Sequence, residues 1–240
     1  MTTPVLGRLI TIVRRKNRPA CVMLPGAGGG VTPYLRLASY LGATHNIYAV
    51  RPAGLLPDET PEATVAEMAD SALKAMEDSG IVPDLVFGWS LGGVVAWEVC
   101  AALAERGHRP DLVLVDCSPM ARVSTDEEDA DIRDTIVGQL GPRPAPDTVQ
   151  RLERTFQAQV AALAAHRAEL HYAGRVLLLL CSPDTEVRSA AEVRWRELAD
   201  GDLEQGRLRS GHFDVFEPEY LSELSAAIGA FLGRDKEVAR

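Results

Sequence analysis

The stretch PDLVFGWSLGGVVAWEVC, residues 83–100, decides the fold of this chain. Its apolar run 84–87 reads as a strand, Gly88-Trp89-Ser90-Leu91-Gly92 is a G-x-S-x-G turn, and an apolar helix over 91–106 follows at once and stops at Gly107. A serine on so sharp a strand-to-helix turn sits in strained backbone. The residues two before and two after it must lack side chains for strand and helix to approach. The serine oxygen then projects from the carboxyl edge of a sheet, and the helix amino terminus behind it aims N–H groups at developing negative charge. A serine that merely capped the helix would not need glycine on both sides.

On either side of this stretch the pattern alternates. Leu9–Val13, Ala20–Leu24, Asn46–Val50, Asp111–Val115, 175–181 and Leu203–Leu208 read as strands. Residues 33–41, 64–79, 187–198 and 218–232 read as helices, and 64–79 shows Val65, Met68, Ala69, Ala72 and Met76 at helical spacing before the terminator Gly80. Near-continuous apolar strands alternating with helices predict a mostly parallel central sheet covered on both faces, an α/β fold. The alternation breaks after Pro119. Residues 124–173 hold no strand-like run; they open with the acidic segment DEEDADIRD (126–134) and carry Pro142, Pro144 and Pro146 in a loop. Val149, Leu152, Phe156, Val160 and Leu163 then fall on one helical face. The expectation is one domain over 1–240, with 120–173 inserted in it as a helical lid and the acidic run at the lid's solvated edge.

Composition narrows the function classes. The 240 residues carry 34 acidic against 25 basic side chains, a net charge of −9, and 46% are hydrophobic. Such a chain builds a substantial core, and its charge offers no long-range attraction to nucleic acid or anionic lipid. No apolar run is longer than Val176–Cys181, far below the roughly 18 residues of a membrane span. The basic residues near the amino terminus follow the apolar stretch, the reverse of a secretory signal. A cytoplasmic protein is expected. The four cysteines stand singly without metal spacing, so reduced buried thiols and no metal site are expected.

A serine hydroxyl needs a base. Of the five histidines, His45, His108, His166 and His171 read as ordinary loop, helix-end or lid residues. His212, in the turn between the last strand and the last helix, falls at the carboxyl end of a parallel strand, where sites of this fold gather. Two acids could accept its Nδ1–H: Asp116, which closes the strand LVLVD, and Asp184, in the loop after VLLLLC. The spare one would cap a loop.

With these residues in place the chain resembles the α/β-hydrolase superfamily, and within it the thioesterase domains of non-ribosomal peptide and polyketide synthases. The likeness runs from about Ala20 to Leu232 through LPGAGGGVTPYLRLASYLG, VRPAGL, TVAEMA, GWSLGG and LVDCSP. It implies an α/β-hydrolase fold and an oxyanion hole built from the N–H groups of Leu91 and Ala27. It also implies a Ser90-His212-Asp116 triad, because terminal, product-releasing members usually place the acid where Asp116 stands, whereas stand-alone editing members use the position of Asp184. Trp89 before the serine also favours the terminal group. Trp89, Phe156 and Val160 are the candidate substrate-contacting residues.

The implied substrate is an acyl thioester on the phosphopantetheine arm of an acyl or peptidyl carrier protein, with no cofactor of the chain's own. With no carrier domain in front, the sequence reads as a discrete protein or an excised domain, which leaves editing open beside release. A carboxylesterase or acyltransferase with the same triad is the rival enzyme. A non-catalytic receptor is disfavoured because no part of the machinery is damaged. The basic cluster Arg14, Arg15, Lys16 and Arg18 is a candidate carrier-docking site.

Overall fold

A computed structural model describes residues 7–233. The outermost residues of the expected 1–240 domain, 1–6 and 234–240, lie outside the described residues. The chain builds one seven-stranded sheet from β1 (Leu9–Val13), β2 (Ala20–Leu24), β3 (Asn46–Val50), β4 (Leu85–Trp89), β5 (Asp111–Val115), β6 (Val176–Cys181) and β7 (Leu203–Leu208). Their spatial order is β1-β3-β2-β4-β5-β6-β7, all parallel except β1, which runs antiparallel to β3. Chain order reverses direction across the sheet between β2 and β4. In open α/β sheets the crevice outside the carboxyl ends of the strands at such a switch point is where ligands bind.

The helices are α1 (Leu35–Leu41), α2 (Val65–Asp78), α3 (Leu91–Glu105), α4 (Asp126–Gly138), α5 (Pro146–Ala165), α6 (Glu186–Leu198) and α7 (Pro218–Phe231). Successive side chains of a strand point to opposite faces, and the core divides accordingly. Val22, Leu24, Val86, Leu112, Leu114, Leu178 and Leu180 pack under α2, α3 and α6. Cys21, Met23, Phe87, Val113, Val115, Leu177 and Leu179 pack under α1 and α7. The α3 helix is apolar nearly all round because it is enclosed, with Leu91 to Ala101 buried save Glu98. Its Trp97 has no exposed surface, lies 4.7 Å from the Trp195 ring of α6, and donates its indole N–H to the Leu170 carbonyl at 2.8 Å.

Two elements are more detailed than the sequence expectation. The helix expected over 33–41 opens as a 3-10 turn at Thr32–Tyr34, with Pro33 in its first turn, and becomes α-helical only at Leu35. The acidic segment has none of its residues buried, in keeping with a solvated edge, and it is also the start of a full helix, α4. Thr125 caps it, accepting from the Glu128 amide while the Glu128 carboxylate accepts from the Thr125 amide. Four acidic residues in the first turn suit the positive end of the helix dipole. Between β5 and β6 the chain therefore carries two helices, α4 and α5.

Trp97→Ala removes a fully buried indole between α3 and α6 and strands the Leu170 carbonyl. It is expected to cost about 4 kcal/mol of unfolding free energy in urea titration, with little change in the dependence on denaturant.

Candidate active site

The turn after β4 puts Ser90 at φ 56, ψ −127, a region that side-chain-bearing residues rarely occupy. Close packing holds it there. A Cβ on Gly88 would overlap the Gly92 carbonyl, and one on Gly92 would overlap the Leu24 carbonyl of the neighbouring strand. The Ser90 amide donates to the Val115 carbonyl of β5 at 2.9 Å. The serine oxygen therefore emerges at the carboxyl edge of the central strands.

The loop after β7 brings His212 to it. His212 Nε2 lies 3.2 Å from Ser90 Oγ, and its Nδ1 lies 2.7 Å from Asp116 Oδ2. The Trp89 ring packs against the imidazole, 4.9 Å between centroids and tilted by 31°, and its indole N–H donates to the His212 carbonyl at 3.2 Å. Trp89 thus touches the histidine as well as lining the pocket. Asp184, the alternative acid, lies elsewhere: it is exposed and pairs with Arg207 at 3.2 Å, because the loop after β6 turns it outward. The other histidines find partners away from Ser90, at Thr44, Pro83, Glu98 and Asp200, and His45 is buried rather than solvated.

Asp116 stands at φ 43 just past β5 with its carboxylate almost fully buried. Oδ1 accepts from the Cys181 amide at 3.1 Å and from Arg188 Nε at 2.7 Å, and Oδ2 accepts from Arg188 Nη2 at 2.7 Å beside His212. Burial alone pushes this carboxyl up. The two-pronged Arg188 contact, His212 and the Cys181 amide outweigh it and hold the group well below the usual carboxylate range. Arg188, 72 residues along the chain on α6, is missing from the sequence reading. On its helix it looks like any surface arginine, and only the sheet order lays α6 beside the end of β5.

Opposite Leu91, whose N–H begins α3 and has no partner within the helix, stands Ala27 in the glycine-rich loop after β2. Both line the same pocket as Ser90 and His212. The amides flanking Ala27 are engaged: Gly26 donates to the Tyr34 hydroxyl at 2.9 Å and Gly28 to Gln159 Oε1 at 2.7 Å. The pocket holds about 540 Å³. Phe156 and Val160 line it as expected positions of α5, joined by Ile132 and Ile136 of α4, which the sequence reading missed. The signal for them was present in the capping pattern Thr125-x-x-Glu128 ahead of that helix. The basic cluster 14–18 is exposed in the connection between β1 and β2, at the amino edge of the parallel strands. That is the edge opposite Ser90.

The four cysteines are buried and free, and burial first, then the Asp116 charge, pushes the Cys181 thiol up to about 12. Among the described residues no cluster of His, Cys, Asp or Glu could hold a metal ion, and no helix is long and apolar enough to cross a membrane.

A family model described as "Thioesterase domain" matches residues 20–232. A non-reducing polyketide synthase of Cladonia grayi is 31% identical over 172 residues, 68% of this chain and 7% of that protein, so the chain spans a small part of its relative's length. The NocB thioesterase domain, solved as a covalent complex with a fluorophosphonate nocardicin G analog, superposes with a TM-score of 0.72 at 27% identity, covering 89% of this chain and 94% of that one. The Vlm2 thioesterase domain superposes with a TM-score of 0.75 at 20% identity, covering 93% and 97%, and shares the α/β-hydrolase fold.

The depressed Asp116 carboxyl sets a pH dependence of stability. A group whose folded pKa lies below its unfolded value stabilises fully above the unfolded pKa, near 3.9 for an aspartate, and that contribution is lost as pH falls through the folded value. Between about pH 4 and pH 2 the unfolding free energy of the wild type should therefore fall more steeply than that of Arg188→Met, in which Asp116 has lost its counter-ion. Parallel slopes in urea titrations across that range would remove the pairing from the account.

Proposed function

The chain belongs to the thioesterase domain family, and on that premise we propose that it takes an acyl, peptidyl or polyketide chain from a carrier-protein phosphopantetheine thioester onto Ser90 and releases it. The observation that carries this reading is the continuous contact from Ser90 Oγ through His212 to Asp116 at the floor of an apolar pocket. His212 Nε2 takes the serine proton as Oγ attacks the thioester carbonyl. The oxyanion is received by the N–H groups of Leu91 and Ala27, the former at the positive end of α3. The carbon–sulfur bond breaks, and the thiol leaves with the proton from His212. Asp116 holds the imidazole in one tautomer and offsets its positive charge, and Arg188 keeps that carboxylate ionised and fixed.

The resulting acyl-Ser90 ester is resolved by water, or by a hydroxyl or amine of the acyl chain itself, giving a free acid or a ring. In this reading residues 120–173 act as the lid of a single domain, with Phe156, Val160, Ile132 and Ile136 offering the apolar wall for the acyl chain. The reaction calls on no cofactor of the chain's own, since the pantetheine arm belongs to the carrier. Release from a synthase is favoured over editing by the pairing of His212 with Asp116 rather than with Asp184. The synthases among the relatives support a carrier partner.

Ser90→Ala should abolish thioester turnover and labelling by a serine-directed phosphonate while leaving the thermal midpoint within a few degrees. The wild type should prefer an acyl pantetheine thioester to the matching oxygen ester. Equal or greater rates on the oxygen ester would favour the carboxylesterase reading.

A further inference from the structure

The glycine-rich loop after β2 is held from the far side of the chain. Residues 26–29 form a tight turn closed by the Gly29 amide donating to the Gly26 carbonyl at 3.0 Å, with Gly28 at φ 83 in its third position. That is the pattern of a type II turn, which requires positive φ there. Type I and type II turns differ by a flip of the central peptide, here Ala27–Gly28. Whatever holds the N–H of that peptide selects between them. The holder is Gln159 of α5, whose Oε1 accepts from the Gly28 amide at 2.7 Å. The Gln159 side chain is essentially fully buried.

The rest of the surroundings supports the same role. Gly28 backs onto Ile136 of α4 with no room for a Cβ, and Gly29 backs likewise onto Pro52. Helix α5 is itself fastened to the segment after β3, with Arg151 Nε donating to the Leu55 carbonyl at 3.2 Å and Arg154 Nη2 to the Glu59 carbonyl at 2.8 Å. Phe156, Val160 and Leu163 of α5 turn toward the pocket, and Gln159, three residues after Phe156 and four before Leu163, stands at the border of that same face. One helix face therefore both lines the acyl pocket and, at its border, grips the turn that carries Ala27.

We infer that Gln159 is a positioning residue for the oxyanion-binding turn: by fixing the orientation of the Ala27–Gly28 peptide it anchors the turn whose preceding peptide carries the Ala27 N–H, and so ties that turn to the location of α5. The inference rests on the proposed roles of Ser90 and Ala27. Its consequence is that the oxyanion hole is complete only when the inserted helices are seated on the body of the domain. Without the Gln159 oxygen the buried Gly28 amide has no acceptor, and the turn relaxes toward a conformation that supplies one.

Steady-state hydrolysis of a medium-chain acyl pantetheine thioester tests this, together with phosphonate labelling of Ser90, binding of an alkyl boronic acid that forms a tetrahedral adduct on Ser90, and thermal melting. Gln159→Met should lower kcat by about 10- to 100-fold with KM little changed, and weaken the boronate by the same factor, because both losses fall on the tetrahedral state. Gln159→Asn, which keeps an amide but withdraws it by a methylene, should behave like Met. Gln159→Glu, which keeps an acceptor at the original reach, should recover kcat to within about threefold of wild type.

If Gln159→Met does not fold, the contrast between Asn and Glu carries the test. Unchanged kcat in folded Met and Asn variants, or Glu as impaired as Asn, overturns the inference while leaving Ser90 as nucleophile. A wild type that neither labels at Ser90 nor turns over the thioester overturns the proposed function and this inference with it.

Discussion

The whole molecule turns on how closely one strand and one helix meet at Ser90. The serine is held at φ 56 because Gly88 and Gly92 pack backbone to backbone with no space for a methyl group, and because its amide is tied to the end of β5. That conformation is costly and survives only where the surrounding structure over-determines it. The central sheet supplies the rigidity: β2, β4 and β5 are parallel, adjacent and buried on both faces, so their carboxyl ends form one fixed edge. The glycine-rich turn after β2, Ser90 after β4 and Asp116 after β5 all stand on that edge.

Around this point the charges are arranged to be consumed locally. Asp116 is buried with two hydrogen bonds from Arg188, one from the Cys181 amide and one shared with His212, so neither of its oxygens is left unpaired. A buried carboxylate facing the histidine alone would gain from taking up a proton. The guanidinium removes that gain and holds the carboxylate by both oxygens. Trp89 closes the other side of the imidazole with its ring and its indole N–H. The histidine is thereby held by two chain segments far from it in sequence, 89–90 and Asp116, the latter braced by Arg188.

The insertion between β5 and β6 is where local pattern and final structure part company. The apolar stripe of α5 was plain from its spacing, and Phe156 and Val160 do line the pocket. Helix α4 was hidden by its acidity: charge dominates residues 126–134, and only Ile132 and Ile136 turn to the pocket. An amphipathic signal of two isoleucines is too thin to read against that background, although the Thr125 and Glu128 capping pair marks the helix start. The basic cluster 14–18 shows the converse. Its charge was conspicuous, but the antiparallel course of β1 carries it to the edge of the sheet opposite Ser90.

By itself the sequence determined the parallel sheet, the strand-turn-helix around Ser90 and the choice of His212. These follow from period-two and helical apolar patterns and from glycines whose need is local. The tertiary structure decided between the two acids that apolar patterning leaves open and that only the family resemblance separates, because Asp116 and Asp184 both follow apolar strands and differ in where their loops point once the strands are side by side. It alone brought Arg188 to Asp116 and Gln159 to Gly28, pairings across 72 and 131 residues. A hydrogen bond is satisfied by whatever donor or acceptor the packing brings within 3 Å or so, and nothing in the local pattern of an arginine or a glutamine on a helix says which loop the sheet order will place beneath it.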